Sequence, residues 1–361
     1  MNAKKGLERN GVMQSVGISV ANKDTTPSTV LPAGRISLNR FAWFTLAYNV
    51  AVVLWGAYVR ATGSGAGCGS HWPLCNGEFL PATPQTQTVI EFTHRVTSGL
   101  SLVLVAILLI WCWRRTAKSD WSRYSAVAVV VLLFNEAVIG SLLVLLRSAT
   151  HAFFLCLHFG NTLLLLAALA LTAGCLSNGN LRLGVVARPD HAIATGLGLV
   201  SVIVIGMTGS LASFDDTIFP ADSLPHAVVQ DFSSNSHILL RLRVLHPIAA
   251  VIGSIYVLWL LQDFWRKQER SPWMLLLTVT LTAQIALGTI NVILLAPVWL
   301  QMTHLLVAEM FWIQLVLASA DQLFADHHSG LPFSREGSAS VNWSLGFEGT
   351  AHIGRGGGHS L

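Results

Sequence analysis

The stretch TVIEFTHRVTSGLSLVLVAILLIW, residues 88–111, decides what kind of protein this is. Its ionisable groups, Glu91, His94 and Arg95, crowd into the first third, and from Val96 to Trp111 no charge interrupts the run. As a helix rising about 1.5 Å per residue, it is long enough to cross the roughly 30 Å hydrocarbon core of a bilayer. Comparable windows fall at 40–60, 123–146, 151–174, 190–212, 237–262, 273–296 and 299–321, which makes eight spans. Composition agrees: 53% of the 361 residues are hydrophobic and 11% are Asp, Glu, Lys or Arg, where a soluble domain carries about 25% charge. A soluble enzyme is excluded. The net charge of +4 is too small and too scattered to point to nucleic acid.

Lys and Arg set the expected orientation. Arg35 and Arg40 precede the first span, Arg114, Arg115, Lys118 and Arg123 join spans two and three, Arg182 and Arg188 join four and five, and Arg266, Lys267 and Arg270 join six and seven. The alternate loops hold only Arg60 and Arg147 near their edges, so both termini are expected in the cytoplasm. Trp111, Trp113, Trp121, Trp265, Trp273 and Trp299 fall near span ends, where amphipathic rings anchor. The expected architecture is all-α and integral to the membrane, with eight transmembrane helices in two pseudo-symmetric four-helix bundles. Residues 1–38 form a polar N-terminal tail, 39–178 the first bundle, 179–323 the second, and 324–361 a Gly-, Ser- and His-rich tail that cannot bury a core.

The duplication rests on weak matches in a common order. Ala61-Thr62-Gly63-Ser64 parallels Met207-Thr208-Gly209-Ser210, Gly140 to His158 parallels Gly288 to His304, and the stretch from Glu91 to His94 parallels that from Arg243 to His246. An even number of helices per half makes the repeat parallel, about an axis near the membrane normal.

Ionisable residues within spans are functional candidates by default. His94, His158, His246 and His304 lie on spans two, four, six and eight at one depth, roughly 8 to 14 Å inside the predicted outer ends. Imidazoles on facing helices at matching depth suit the two axial positions of haem iron. The economical pairing is His94 with His158 and His246 with His304; taken singly, each is also compatible with a neutral imidazole bonded to a carbonyl. His151, His237, His71 and His226 rank lower because the halves do not repeat them or because they lie in loops. Glu91, His94 and Arg95 share a helix face, so a carboxylate stands beside the first pair only, either for chemistry or as an ion pair with Arg95 or Arg60. Arg95, Arg241 and Arg243 are candidates to bind propionates. Cys68 and Cys75 lie in the outer loop between spans one and two, where a disulfide can form as a staple or a redox relay.

These residues resemble the haem A synthase family. The resemblance is carried by Val59-Arg60-Ala61-Thr62-Gly63-Ser64-Gly65 leading to Cys68, Trp72-Pro73 and Cys75-Asn76-Gly77, by Ile90-Glu91-Phe92-Thr93-His94-Arg95, by Asp216-Thr217-Ile218-Phe219-Pro220, by Leu242-Arg243-Val244-Leu245-His246-Pro247 and by His304, over roughly residues 40–321. It implies a bacterial inner-membrane enzyme for cytochrome oxidase biogenesis. Haem O is the substrate and haem A the product, and a ring methyl becomes a formyl group by successive hydroxylations and loss of water. A resident haem b would sit on His246 and His304 and the substrate between His94 and His158, with Glu91 in the chemistry. Implied partners are membrane lipid, haem O synthase upstream, cytochrome oxidase or its assembly factors downstream and an unidentified electron donor; a homo-oligomer stays open. Some members carry a second cysteine pair between spans five and six, and residues 213–236 here hold none. Two readings from other classes remain beside it: a di-haem b-type electron-transfer cytochrome, and a haem-binding assembly or transport protein.

Overall fold

The structure, a computed structural model, describes residues 33–82, 84–146, 151–177, 189–233, 235–267 and 272–324. Ten helices follow one another among these residues: α1 (Ala33–Ala61), α2 (Thr86–Arg115), α3 (Trp121–Leu145), α4 (His151–Leu176), α5 (Pro189–Ile218), α6 (Leu224–Phe232), α7 (Ile238–Arg243), α8 (Leu245–Lys267), α9 (Pro272–Ile293) and α10 (Val298–Phe324). With α7 and α8 as one span, eight are long and apolar enough to cross a membrane, at the eight places expected. The expected tail boundary at residue 38 shifts, because helix α1 already begins at Ala33. The rest of that tail, the tail after Phe324, and Arg147, Arg182, Arg188 and Arg270 lie outside the described residues.

Helix α2 shows why the chain needs lipid. Ser101, Val105, Leu108 and Cys112 are buried, whereas Val96, Leu100, Val103, Ile107 and Ile110 are exposed, each set recurring at spacings of three and four. Apart from Ser101, both stripes are apolar. The exposed one would be costly in water and is neutral against acyl chains.

Apolar residues gather in two cores. Leu46, Val105, Leu108, Val129, Leu166 and Leu169 of α1 to α4 form one, joined by Trp312 and Val316 of α10. Val257, Leu260, Leu277, Leu281 and Leu315 of α8, α9 and α10 form the other. Helix α4 is the most enclosed span, and its small residues Gly160, Ala168, Ala170 and Ala173 permit close approach. The Trp312 Nε1–H donates to the Leu163 carbonyl at 2.7 Å, tying α10 to α4 through a buried group. Ser101 donates to the Asn49 side chain at 2.6 Å between α2 and α1, so neither polar group faces hydrocarbon unpaired.

Two local features differ from the windows read in the sequence. Helix α5 continues to Ile218, beyond the expected end at 212, and so takes Asp216, Thr217 and Ile218 out of the loop. It can do so because Asp216 is neutralised by Arg243 at 2.9 Å. The sixth span is broken at Val244, where α7 ends and α8 begins. Pro247 explains the break: it has no N–H for the Arg243 carbonyl, and its ring would clash with that oxygen. The connection between spans five and six also contains helix α6, started by the Ser223 side chain and Pro225.

Candidate functional site

Each of the four histidines of spans two, four, six and eight lies about two turns inside the start of its helix or broken helix. Each also faces a glycine on a neighbouring helix. A Cβ built on Gly56 of α1 would stand 2.8 Å from Cε1 of His94, and one on Gly140 of α3 would stand 3.4 Å from Cε1 of His158. The corresponding separations are 2.9 Å from Gly209 of α5 to His246 and 3.0 Å from Gly288 of α9 to His304. The helix pairs α1/α2, α5/α8 and α9/α10 thus use one device, a missing side chain that admits an imidazole, whereas at α3/α4 a Cβ would make only an ordinary contact.

This geometry corrects the register of one internal match. Gly63 sits after α1 in a left-handed turn with φ 64°, whereas Gly209 lies inside α5 against His246. The glycine that faces His94 is Gly56, so the two Thr-Gly-Ser stretches do not occupy matching places.

The His246 Nδ1 is 3.2 Å from the Ile205 carbonyl, an orientation that leaves Nε2 for a metal. The buried Nδ1 atoms of His94, His158 and His304 have no hydrogen-bond partner. Imidazoles held between apolar helices, three with an orphaned Nδ1 and the fourth, His246, oriented by a backbone carbonyl, are donors that fit haem iron. The other histidines are used locally. His237 accepts the Leu239 N–H at the start of α7, and His151 packs against Phe214 at 5.1 Å between ring centres.

Two polar residues of the pockets escaped the sequence reading. Glu136 of α3 stands one turn before Gly140, and its Oε1 is 3.5 Å from Nε2 of His158. Gln284 of α9 stands one turn before Gly288, and its Nε2 is 3.2 Å from Nε2 of His304. Extending the match of Gly140 with Gly288 back by four residues would have found both.

Glu91 is buried beneath the disulfide loop. Its Oε2 accepts the Cys68 N–H at 2.8 Å, and its Oε1 is ion-paired with Arg95 at i+4. Arg95 also donates to the carbonyls of His71 and Leu74, both at 2.7 Å. The expected pairing of Glu91 with Arg95 is therefore present, and both residues clamp the loop closed by the Cys68–Cys75 disulfide. Asn76 and Gly77, with φ of 55° and 86°, turn the chain so that Cys75 and Glu78 pair. Arg243 is held by Asp216 of α5 and Asp231 of α6, which ties α6 to the broken span.

The loop docks through Gly67, whose carbonyl accepts the Thr88 hydroxyl at 2.9 Å. A Cβ at Gly67 would collide with the Gln87 carbonyl. Gly67→Val should therefore lift the loop, at a cost of about 1–3 kcal/mol, or roughly a 5- to 150-fold larger open population. Hydrogen exchange of the Cys68 amide measures it, and unchanged protection would contradict the clamp.

Fold and site together define a polytopic helical membrane protein with four imidazoles on alternate spans, each seated against a glycine of a neighbouring helix, and a disulfide loop clamped over the start of the second span. The chain belongs to the COX15-CtaA family, described as Cytochrome oxidase assembly protein, whose model matches residues 39–316. Among its relatives, a Protoheme IX farnesyltransferase of Thermus thermophilus is 42% identical over 297 residues, 78% of this chain and 48% of that protein. A Heme A synthase of Halalkalibacterium halodurans is 38% identical over 135 residues, 37% of this chain and 45% of the relative. One of an Exiguobacterium species is 29% identical over 253 residues, 69% of this chain and 83% of the relative. The chain thus spans about half the length of the first two.

Proposed function

We propose that this chain is a haem A synthase, which oxidises a ring methyl of haem O to the formyl group of haem A for cytochrome oxidase. The observation that carries the reading is the set of four imidazoles on alternate spans, each against a glycine of a neighbouring helix, in a chain of this family. His94 and His158 would take the substrate, and His246 and His304 a resident haem b. Haem iron supplies, when bound, the oxidising power and electron path that no side chain provides.

The chain's own residues then have definable tasks. The glycines fix the imidazoles in depth and direction. The loop clamped by Glu91 and Arg95 is proposed to shield the end of the first pocket from water; its attachment is seen in the Cys68 and His71 hydrogen bonds. Glu91, one turn from His94, is the carboxylate proposed to accept a proton from, or stabilise positive charge at, the oxidised methyl. Arg95 and Arg243 are proposed to neutralise propionates while keeping their carbonyl and carboxylate partners. The two halves are proposed to be duplicated four-helix bundles, split near residue 178. Arg35, Arg114, Arg115 and Arg123 cluster at the end opposite the disulfide, which supports cytoplasmic termini in a bacterial inner membrane and a disulfide on the oxidising side.

The match to a Protoheme IX farnesyltransferase covers 48% of that protein. The match to a Heme A synthase covers 83% of its length, so the shared segment is assigned the oxidation. Haem O synthase, an electron donor and the oxidase or its assembly factors are the partners this activity requires.

The test is production of the chain in cells that make haem O and lack haem A, followed by haem extraction and chromatography. Haem A, or its singly hydroxylated precursor, is expected. Extracts holding only haem B and haem O would overturn the reading, as would haem O made from haem B by the chain alone.

A further inference from the structure

At the disulfide end of the sixth span a cleft of about 360 Å³ opens between α6 and the broken helix, lined among others by Asp231, Phe232, Arg241, Val244, Leu245 and Ile248. Arg241, read in the sequence as a propionate candidate, stands at its head. The floor of the cleft continues as a track: Arg241, Leu245, Ile248, Ile252 and Ile255 follow one another at spacings of four and three and so share a helix face. Val244 keeps a right-handed conformation, with φ −63° and ψ −21°, which carries that face across the break. The four apolar residues of the track are 43% to 65% exposed, and Arg241 is exposed as well.

Helix α6 forms the side wall. Asp231 Oδ1 accepts from Nε and Nη2 of Arg243 at 2.9 and 2.5 Å, which fixes the end of α6 level with the first turns of the span. That pairing offsets the charge of Asp231, so Arg241 gives the mouth of the cleft its sign. Leu224, Val228, Val229 and Phe232 gather on one side of α6 and are all exposed, and no residue of this helix is buried. Such a face would be costly in water. It adjoins the exposed track of α8, a surface that in a spanning helix lies against acyl chains. Along the track one hydrocarbon neighbour is as good as another. Preference for a particular molecule must come from the head, where a guanidinium meets a phosphate in a forked, charge-assisted pair.

We propose that this cleft seats one phospholipid of the leaflet on the disulfide side, its anionic phosphate at Arg241 and an acyl chain along Leu245, Ile248, Ile252 and Ile255, with the apolar side of α6 resting at the same interface. The bound lipid joins α6 to the broken span beside the Asp231–Arg243 ion pair. The site involves neither iron nor oxidation and stands apart from the haem A reading.

The experiment uses the full chain, purified in detergent and stripped of lipid, with phosphatidylglycerol added back and binding read by native mass spectrometry. Wild type should take up one molecule ahead of all others. Arg241→Gln should weaken that first binding about tenfold, as expected for loss of a charge-assisted hydrogen bond. Arg40→Gln, at an exposed arginine near the opposite end of the bundle, should leave it unchanged. Hydrogen exchange supplies the location: phosphatidylglycerol should slow exchange over residues 224–232 in wild type and not in Arg241→Gln, whereas inorganic phosphate should slow it in neither. A purely structural role of Arg241 would change exchange equally with and without lipid, and that result would overturn the proposal. Protection by inorganic phosphate alone, protection that follows dimerisation of the chain without lipid, or first-binding affinities within twofold of each other for wild type and Arg241→Gln would overturn it too. If Arg241→Gln does not fold, Ile248→Trp decides alone: the larger ring fills the cleft from an exposed position and should weaken the first binding, and an unchanged affinity overturns the site.

Discussion

Alanine at Gly56 or Gly209 should cost the protein haem, while alanine at Gly99 or Gly196 should not. The Cβ of Gly209→Ala would lie 2.9 Å from Cε1 and 3.1 Å from Nδ1 of His246, and that of Gly56→Ala would lie 2.8 Å from Cε1 and 3.0 Å from Nε2 of His94. Neither ring can stay where it is. Each must turn or retreat, and an outer contact that misdirects a metal-binding imidazole costs about 10–100-fold in affinity. Gly99 of α2 and Gly196 of α5 have no atom within 4 Å of a built Cβ, so alanine there should be neutral or stabilising by about 0.5–1 kcal/mol. The checking measurement is haem per protein, with the redox difference spectrum as the marker of ligand geometry. His246→Ala sets the scale, since removing a proposed ligand outright should abolish the b-type signal proposed for the second pocket. Equal haem content in all four glycine variants would mean that the imidazoles do not bind where they are seated.

That comparison also shows what the sequence made legible. Span positions could be read because lipid tolerates no unpaired backbone and few charges, so length and apolarity alone mark them. The histidines stood out against the same background. The glycines did not, because a glycine in a span is ordinary until one knows which helix it faces, and spanning helices such as α1 and α2 are apolar on more than one side. Glu136 was hidden in the same way: on a helix otherwise without charge inside the membrane, it reads as an isolated polar residue until Asn161 and Thr162 are brought to it from α4. The end of α5 was misplaced for the opposite reason. Asp216 looks like the start of a loop, and the arginine at position 243, on another helix, stabilises its helical placement.

Glu91→Gln should separate two roles that Glu91→Ala would merge. The carboxylate accepts the Cys68 N–H at 2.8 Å and is ion-paired with Arg95, which in turn carries the loop carbonyls of His71 and Leu74. Alanine removes all of this, so it should loosen the loop and stop product formation together, and its loss of activity would say little about chemistry. Glutamine keeps an oxygen for the Cys68 amide and loses the charge and the proton-accepting power. If Glu91 serves the oxidation, Glu91→Gln should keep the hydrogen-exchange protection of residues 67–69 and the haem content near wild type, yet lower haem A formation about 10²–10⁴-fold, as expected for loss of a general base. Near-normal haem A from Glu91→Gln beside none from Glu91→Ala would confine Glu91 to the clamp. The proton would then have to be taken by a group other than the carboxylate beside His94, and Glu136, 3.5 Å from the partner imidazole of the same pocket, is the next carboxylate to test.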